Sequence, residues 1–547
     1  MAEASPDEAR PLLAGPPPAA DENGHTPQPQ HGRLEDDVLP EESTLGRNID
    51  WKSAYVIAIS RVIGSGIFAV PGVILQAAGS VGLSLALWLG GAVVVAAGLA
   101  VSLELGCMLP RSGGDKVYLE FAYPRPRFLA STLVAVQAVL LGFTASNCVI
   151  FSQYTLFALG ADPSDAVRKA VAVALLTAIT VVHGVWYRAG IRIQNFLGWL
   201  KVGLVVFMVL SALYVVVVRP ERRGGGPDDD GGEPALVLGG EAFGPEAWDR
   251  LWEGSDWSFG TIATSLFKVF YSYAGLTNLN NVLNEVKDPV RTLKSVSLTA
   301  LVTACFLYLL ANLAYFAVVP VEDIKQSGQL IAALFFERVF GPNVGRRFLP
   351  LAVALSAAGN VMVVTFALAR LNQEIARAGF LPFSRYLSSS KPFNAPMGGL
   401  IVHYIPSVLV IVLPPTNEVY SFILEVEGYP GQVYGLAITI GLILLRYRRP
   451  DLKRPFKAWM PAVVFRALLC LTLLAAPFFP PSNPDPDGLW YATYAVVGVG
   501  VIVFGALYWL VWTVILPRLG GYRLEEKEDI LDDGTTITVL ARVPKAE

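Results

Sequence analysis

An all-α membrane protein of about twelve transmembrane helices is expected for this 547-residue chain, on the strength of three features. Hydrophobic residues make up 53% of it and charged residues 16%, against roughly a quarter charged in ordinary globular domains. With a mean hydropathy of +0.50, there is more apolar surface than a water-soluble fold can hide. Length alone would allow three or four soluble domains, but composition excludes them. The charges are also clustered, leaving residues 128–160, 296–321, 348–369 and 488–517 with none. Each run exceeds the roughly 20 helical residues that cross a hydrocarbon core of about 30 Å. Finally, when the apolar segments alternate from a cytosolic start, the loops placed inside hold roughly twice the Lys and Arg of those outside, as the positive-inside bias requires.

Taken in order, residues 1–50 are polar and rich in Pro, Ala, Asp and Glu, the composition of a disordered tail. They contain no long apolar run, so no cleavable signal peptide is expected and the amino terminus is placed in the cytosol. The apolar body, 51–517, divides into twelve spans at about 53–77, 81–107, 128–158, 169–186, 195–218, 258–284, 295–319, 348–370, 397–414, 418–445, 459–480 and 489–516. Glycine- and aspartate-rich residues 219–257 read as a flexible outer loop, and 518–547 as a short cytosolic tail. A net charge of −3 argues for neither nucleic acid nor an acidic partner. Cys107, Cys148, Cys305 and Cys470 lie in apolar stretches without metal-ligand spacing. No metal or other cofactor is expected, and without a catalytic triad, an HExxH run or paired carboxylates, neither is an enzyme.

Two spans are built differently. The first carries Ile63-Gly64-Ser65-Gly66-Ile67 in its middle, and the sixth Tyr271-Ser272-Tyr273-Ala274-Gly275 at similar depth. Five spans separate their starting points, so the chain reads as two five-span halves of opposite topology with two spans added. Interrupted helices at matching positions of inverted repeats mark transporter binding sites. Breaking a helix at the midplane frees N–H and C=O groups that lipid cannot satisfy. Freed N–H groups favour a carboxylate and freed carbonyls an ammonium group, and a zwitterionic amino acid supplies both. Close helix packing is the alternative reading of the glycines in the first span. The matching break in the sixth weighs against it.

The run Gly64-Ser65-Gly66-Ile67-Phe68, followed by Glu104-Leu105-Gly106 and Pro110-Arg111-Ser112-Gly113-Gly114-Asp115, resembles the amino acid–polyamine–organocation superfamily and its L-type amino acid transporter branch. So does the run from Asn284 to Leu293, and the run from Gly114 to Phe121 is most similar to fungal high-affinity methionine permeases. The resemblance covers roughly residues 50–517. It implies a LeuT-type fold, a 5+5 inverted repeat plus two C-terminal helices, with the cargo between broken helices 1 and 6. Ile63, Gly64, Ser65, Gly66 and Ile67 would receive the carboxylate through backbone N–H groups and the Ser65 hydroxyl. Tyr271, Ser272 and Ala274, next to Gly275, would offer carbonyls to the ammonium group, with Tyr271 also an aromatic lid. Asn147 and Ser356 are candidates for the side-chain pocket, or else glue between helices. The same resemblance implies that Lys201 replaces a bound sodium and ties the first span to the eighth, either as a coupling group or as a fixed structural lysine. Sodium-independent exchange or proton-coupled uptake follows from it.

Ionisable residues inside a membrane are functional hypotheses by default. Lys268 lies about ten residues into the sixth span and Glu427 about ten into the tenth, each roughly 15 Å deep. Equal depth permits an outer-gate ion pair between Lys268 and Glu425 or Glu427. Alternatively, each reaches vestibule water separately. Arg61 is expected to point to the cytosolic side, Glu104 and Arg466 to snorkel, and His183 and His403 to be core or lining residues. The expected function is secondary active transport of a neutral L-amino acid, such as methionine, by alternating access. The other reading is a sensor that binds an amino acid and signals without net transport. Residues 160–166 hold no cysteine, so no disulfide-linked heavy chain is expected after the third span. The plasma membrane is the expected location. Glu8-Ala9-Arg10-Pro11-Leu12-Leu13 fits an acidic dileucine signal and leaves a vacuolar or endosomal membrane as the alternative.

Overall fold

A computed structural model describes residues 47, 49–160, 164–218, 245–377, 379, 381, 383–389, 393, 395–414, 419–479, 490–530 and 536–544. The sorting pattern at 8–13 and most of the predicted outer loop lie outside these residues.

The first predicted span comes as three helical pieces, α1 (Trp51–Val62), α2 (Ser65–Phe68) and α3 (Val70–Ala78). Asp50 starts α1 by accepting the Ser53 N–H at 2.8 Å, a side-chain cap on an otherwise orphaned donor. Helical geometry ends at Ile63, where ψ is 87°. α3 stops at Gly79, whose φ of 80° suits glycine. A Cβ there would also run into the Gly254 carbonyl.

There follow α4 (Val81–Met108), α5 (Asp115–Ala122), α6 (Leu129–Leu141), α7 (Ala145–Ala158), α8 (Asp165–Val185), α9 (Tyr187–Val218) and α10 (Pro245–Trp252). Next come α11 (Phe259–Ser272), a 3-10 stretch over Asn278–Glu285, α12 (Pro289–Val318), α13 (Val321–Ser327), α14 (Ile331–Val344), α15 (Phe348–Arg377) and α16 (Ser384–Leu387). The chain closes with α17 (Met397–Val412), α18 (Val419–Arg448), α19 (Met460–Leu474), α20 (Thr493–Trp509), α21 (Leu516–Leu519) and strands β1 (Tyr522–Ile530) and β2 (Thr536–Pro544).

Among the described residues, nine helices are long and apolar enough to cross a membrane, with α6 and α7 counted together. The other three predicted spans fall outside that number for visible reasons. The first and sixth are interrupted, and the ninth, α17, is an apolar helix of 16 residues. Burial sorts the helices into layers. The apolar window of α15 is 61% buried and that of α20 only 6%, so α15 belongs to the centre and α20 to the lipid-facing rim.

Four features depart from the expectations. The third span is parted at 142–144 between α6 and α7. Residues 245–252, expected as flexible loop, form α10, whose Trp252 ring packs over Gly82 of α4. The expected plain tail contains the antiparallel hairpin β1–β2, with Tyr522 opposite Pro544, and β2 lies against α15. Glu104 does not snorkel. It is fully buried, accepting from Arg446 Nε at 3.0 Å and from the Ala458 N–H at 2.7 Å, with Arg454 Nε at 3.5 Å. A carboxylate so held offsets its desolvation through several partners at once.

Candidate functional site

The two breaks meet. α2 packs against α11, and a Cβ on Gly66 would sit 2.9 Å from Ser272 Oγ and 3.1 Å from Ser272 Cα. Only glycine lets the two backbones approach so closely. α11 ends at Ser272, and Gly275, with φ 116°, takes the chain through a turn that L side chains avoid.

Helix breaks leave carbonyls without intrahelical donors, and here tyrosines on neighbouring spans take them. Tyr308 Oη of α12 lies 2.8 Å from the Val62 carbonyl and 2.7 Å from the Ser272 carbonyl, so one hydroxyl proton is shared between both broken spans. Tyr315 Oη donates to the Ile67 carbonyl at 3.0 Å. Tyr154 Oη stands 2.9 Å from the Phe68 carbonyl and 2.8 Å from that of Gln329. Tyr308 also stacks on Trp88, ring centroids 4.6 Å apart. The Ser272 carbonyl expected for an ammonium group is thus already engaged, and the Tyr271 carbonyl accepts the Ala274 N–H at 3.0 Å. Each keeps a second lone pair.

A cavity opens at this junction, with about 440 Å³ of atom-free space when the part open to solvent is counted. Gly64 and Gly66 line it from the first break, Tyr271, Ser272 and Ala274 from the second, and Asn147 from α7. Asn147 Nδ2 donates to Tyr271 Oη at 3.1 Å, and Ser146 Oγ lies 2.8 Å from the same hydroxyl. Asn360 Nδ2 of α15 donates to Asn147 Oδ1 at 3.2 Å. That amide sits directly against Gly64, where a Cβ would collide with it. A polar chain therefore runs from the second break through α7 and α15 back to the first. Asn360, which also lines the cavity, has its Oδ1 buried with no partner among the described residues.

Phe143 and Thr144 from the parting of the third span also line the cavity. His403 of α17 braces that parting, with Nδ1 2.9 Å from the Gly142 carbonyl. Nδ1 must then carry the proton, leaving Nε2 to accept from Thr144 Oγ1 at 3.3 Å and Thr365 Oγ1 at 3.2 Å.

The remaining candidates fall as follows. Ile63, Ile67 and Gly275 belong to the breaks but not to the cavity wall. Ser65 begins α2, and its side chain is outside the described residues. Ser356 is fully buried in α15, away from the wall, with Oγ unpartnered among the described residues. Lys201 is fully buried on α9, which packs against α15. Lys268 Nζ lies 3.0 Å from Glu425 Oε1, and the two side chains are 6% and 15% exposed. Glu427 is not part of that pair and lines the cavity instead. Arg61, expected on the cytosolic side, also lines the cavity. Outside the spans, burial pushes the Asp115 carboxyl up, against the pull of Arg466.

Sequence reasoning missed Tyr308, Asn360, Phe143 and Thr144. A tyrosine or asparagine within an apolar span was the available signal, since a polar group there needs a partner. Which group it meets depends on packing between distant spans.

This arrangement defines a helical membrane protein with two interrupted spans clasped around a polar, midspan cavity. The chain belongs to the amino acid permease family, whose family model matches residues 49–504. It is 32% identical over 509 residues to the low-affinity methionine permease of Saccharomyces cerevisiae, covering 92% of this chain and 89% of the relative. Identity with that yeast's high-affinity methionine permease is 34% over 495 residues, 88% of this chain and 82% of the relative. The human b(0,+)-type amino acid transporter 1 is 28% identical over 466 residues, 84% of this chain and 88% of that protein. Amino acids, as small-molecule substrates, and a membrane setting follow from the family.

Proposed function

We propose that the protein is a secondary active transporter of a neutral L-amino acid, methionine or one of similar apolar character, working by alternating access. It is not an enzyme in this reading. The observation that carries the proposal is the single cavity lined by both helix breaks. Backbone N–H groups at Ser65 and Gly66 take the carboxylate, since the Gly64 N–H already donates to the Val62 carbonyl at 3.0 Å, and carbonyl lone pairs at Tyr271–Ala274 take the ammonium group. Phe143 and Val364, also in the wall, give an apolar side chain its surroundings. The two yeast relatives, named as methionine permeases, support the choice of cargo.

Twelve spans in a LeuT-type 5+5 arrangement, with both termini cytosolic in the plasma membrane, complete the proposal. The broken first and sixth spans support it. Lys201 serves as the sodium substitute, its burial on α9 being the support, and transport is sodium-independent, coupled to protons or to exchange. Lys268 and Glu425 form an outer gate, supported by their 3.0 Å separation. No disulfide-linked heavy chain takes part. Uptake of radiolabelled methionine in cells lacking their own amino acid permeases tests the reading, with unlabelled amino acids as competitors. Saturable uptake blocked by apolar amino acids is expected. Binding of methionine to the purified protein without uptake would assign a sensor instead, and neither binding nor uptake of any amino acid would overturn the reading.

A further inference from the structure

Of the residues lining the cavity, Arg61 and Glu427 alone carry charge, among the described residues. They come from elements far apart in sequence, and each is held in place by a separate structural reason. Arg61 sits in the last turn of α1. Its stem lies across the second break, where a Cβ on Gly275 would meet Arg61 Cβ at 2.8 Å, Cγ at 2.9 Å and Cδ at 3.1 Å. The glycine, needed already for its φ of 116°, thus also opens the channel along which the arginine reaches the cavity. Glu427 stands two residues beyond Glu425 on α18, about 200° further around the helix. While Glu425 is engaged with Lys268, Glu427 is turned to the cavity.

We propose that Arg61 and Glu427 are a matched charge pair that confines the cargo to amino acids with uncharged side chains. The inference rests on the transport reading above and names the residues behind its selectivity. A charged cargo side chain entering this cavity loses hydration. It is attracted by one member of the pair and repelled by the other, so the desolvation cost stands uncompensated. An uncharged side chain loses little hydration and meets a cavity lining of zero net charge. Removing one member unbalances the lining. Without Glu427 the arginine favours an acidic side chain, and without Arg61 the glutamate favours a basic one.

Competition against radiolabelled methionine uptake tests this in cells without their own permeases, with uptake normalised to the amount of protein at the membrane. The competitors are leucine, glutamate and lysine, and the proteins are full-length wild type, Glu427→Gln, Arg61→Gln and the double variant. Competition by glutamate should strengthen at least tenfold in Glu427→Gln, competition by lysine at least tenfold in Arg61→Gln, and neither in the double variant. For any variant too slow for uptake, ligand-induced thermal shift of the purified protein with the same three amino acids gives the same reading. Unchanged preference in both single variants, a shift of both in the same direction, or a shift that persists in the double variant would overturn the proposal. A wild-type protein that neither carries nor binds any amino acid would instead overturn the transport reading, which leaves the two failures distinguishable.

Discussion

Tyr308 shows how much of the site depends on one atom. Its hydroxyl lies within 2.8 Å of carbonyls from both broken spans. Tyr308→Phe keeps the ring and its stacking on Trp88 but takes the hydroxyl donor from the Ser272 carbonyl and leaves the Val62 carbonyl with the Gly64 N–H alone. A buried acceptor left unpaired costs about 1–3 kcal/mol. The variant should unfold at a lower temperature in detergent and lose most of its uptake, and an unchanged unfolding temperature would remove Tyr308 from this role. Only the need for some partner was legible in the sequence. A tyrosine at 308 in an apolar run reads as core or as helix glue, because its partners sit 36 and 246 residues away. The glycines were legible, since Gly64 and Gly66 on one span and Gly275 on another are hard to explain in uninterrupted helices. Glu427 was half legible. Its depth could be counted along the helix, but the side of α18 it faces depends on how that helix is rotated in the bundle.

Among the elements, long apolar helices were the easiest to foresee, because a run without charge has no other way to satisfy its backbone in lipid. The parting of the third span escaped notice. Gly142 alone is weak evidence of a break, and the His403 ring that stabilises it comes from α17. Helix α10 and the hairpin β1–β2 were missed because glycine, aspartate and alternating charge read as flexible chain. Glu104 links α4 to the C-terminal end of α18 and to the segment leading into α19, through Arg446, Arg454 and the Ala458 N–H. Glu104→Ala strands two arginines beside an apolar core, and breaking such a buried group is expected to cost about 3–5 kcal/mol. Thermal unfolding of the purified variant should show the loss, and a wild-type transition would mean that the arginines find water instead.

For the whole molecule, transport requires the cavity to open alternately to each side, and the Lys268–Glu425 pair joins α11 to α18. If that pair latches the outer side, Lys268→Gln and Glu425→Gln should each slow uptake severalfold. The swapped variant Lys268→Glu with Glu425→Lys should recover part of it. A double-mutant cycle on uptake and on unfolding temperature separates the two roles. Coupling seen in stability alone would make the pair structural rather than a gate.

The account depends on two broken backbones that hold opposite ends of one zwitterion. A cryo-electron microscopy map of the purified protein with bound methionine tests this directly. Density is expected in the cavity between α2 and α11, its carboxylate within hydrogen-bond reach of the Ser65 and Gly66 N–H groups and its ammonium group facing the Tyr271–Ala274 carbonyls. Methionine bound at another place, or in this cavity with neither end touching a break, would contradict the account.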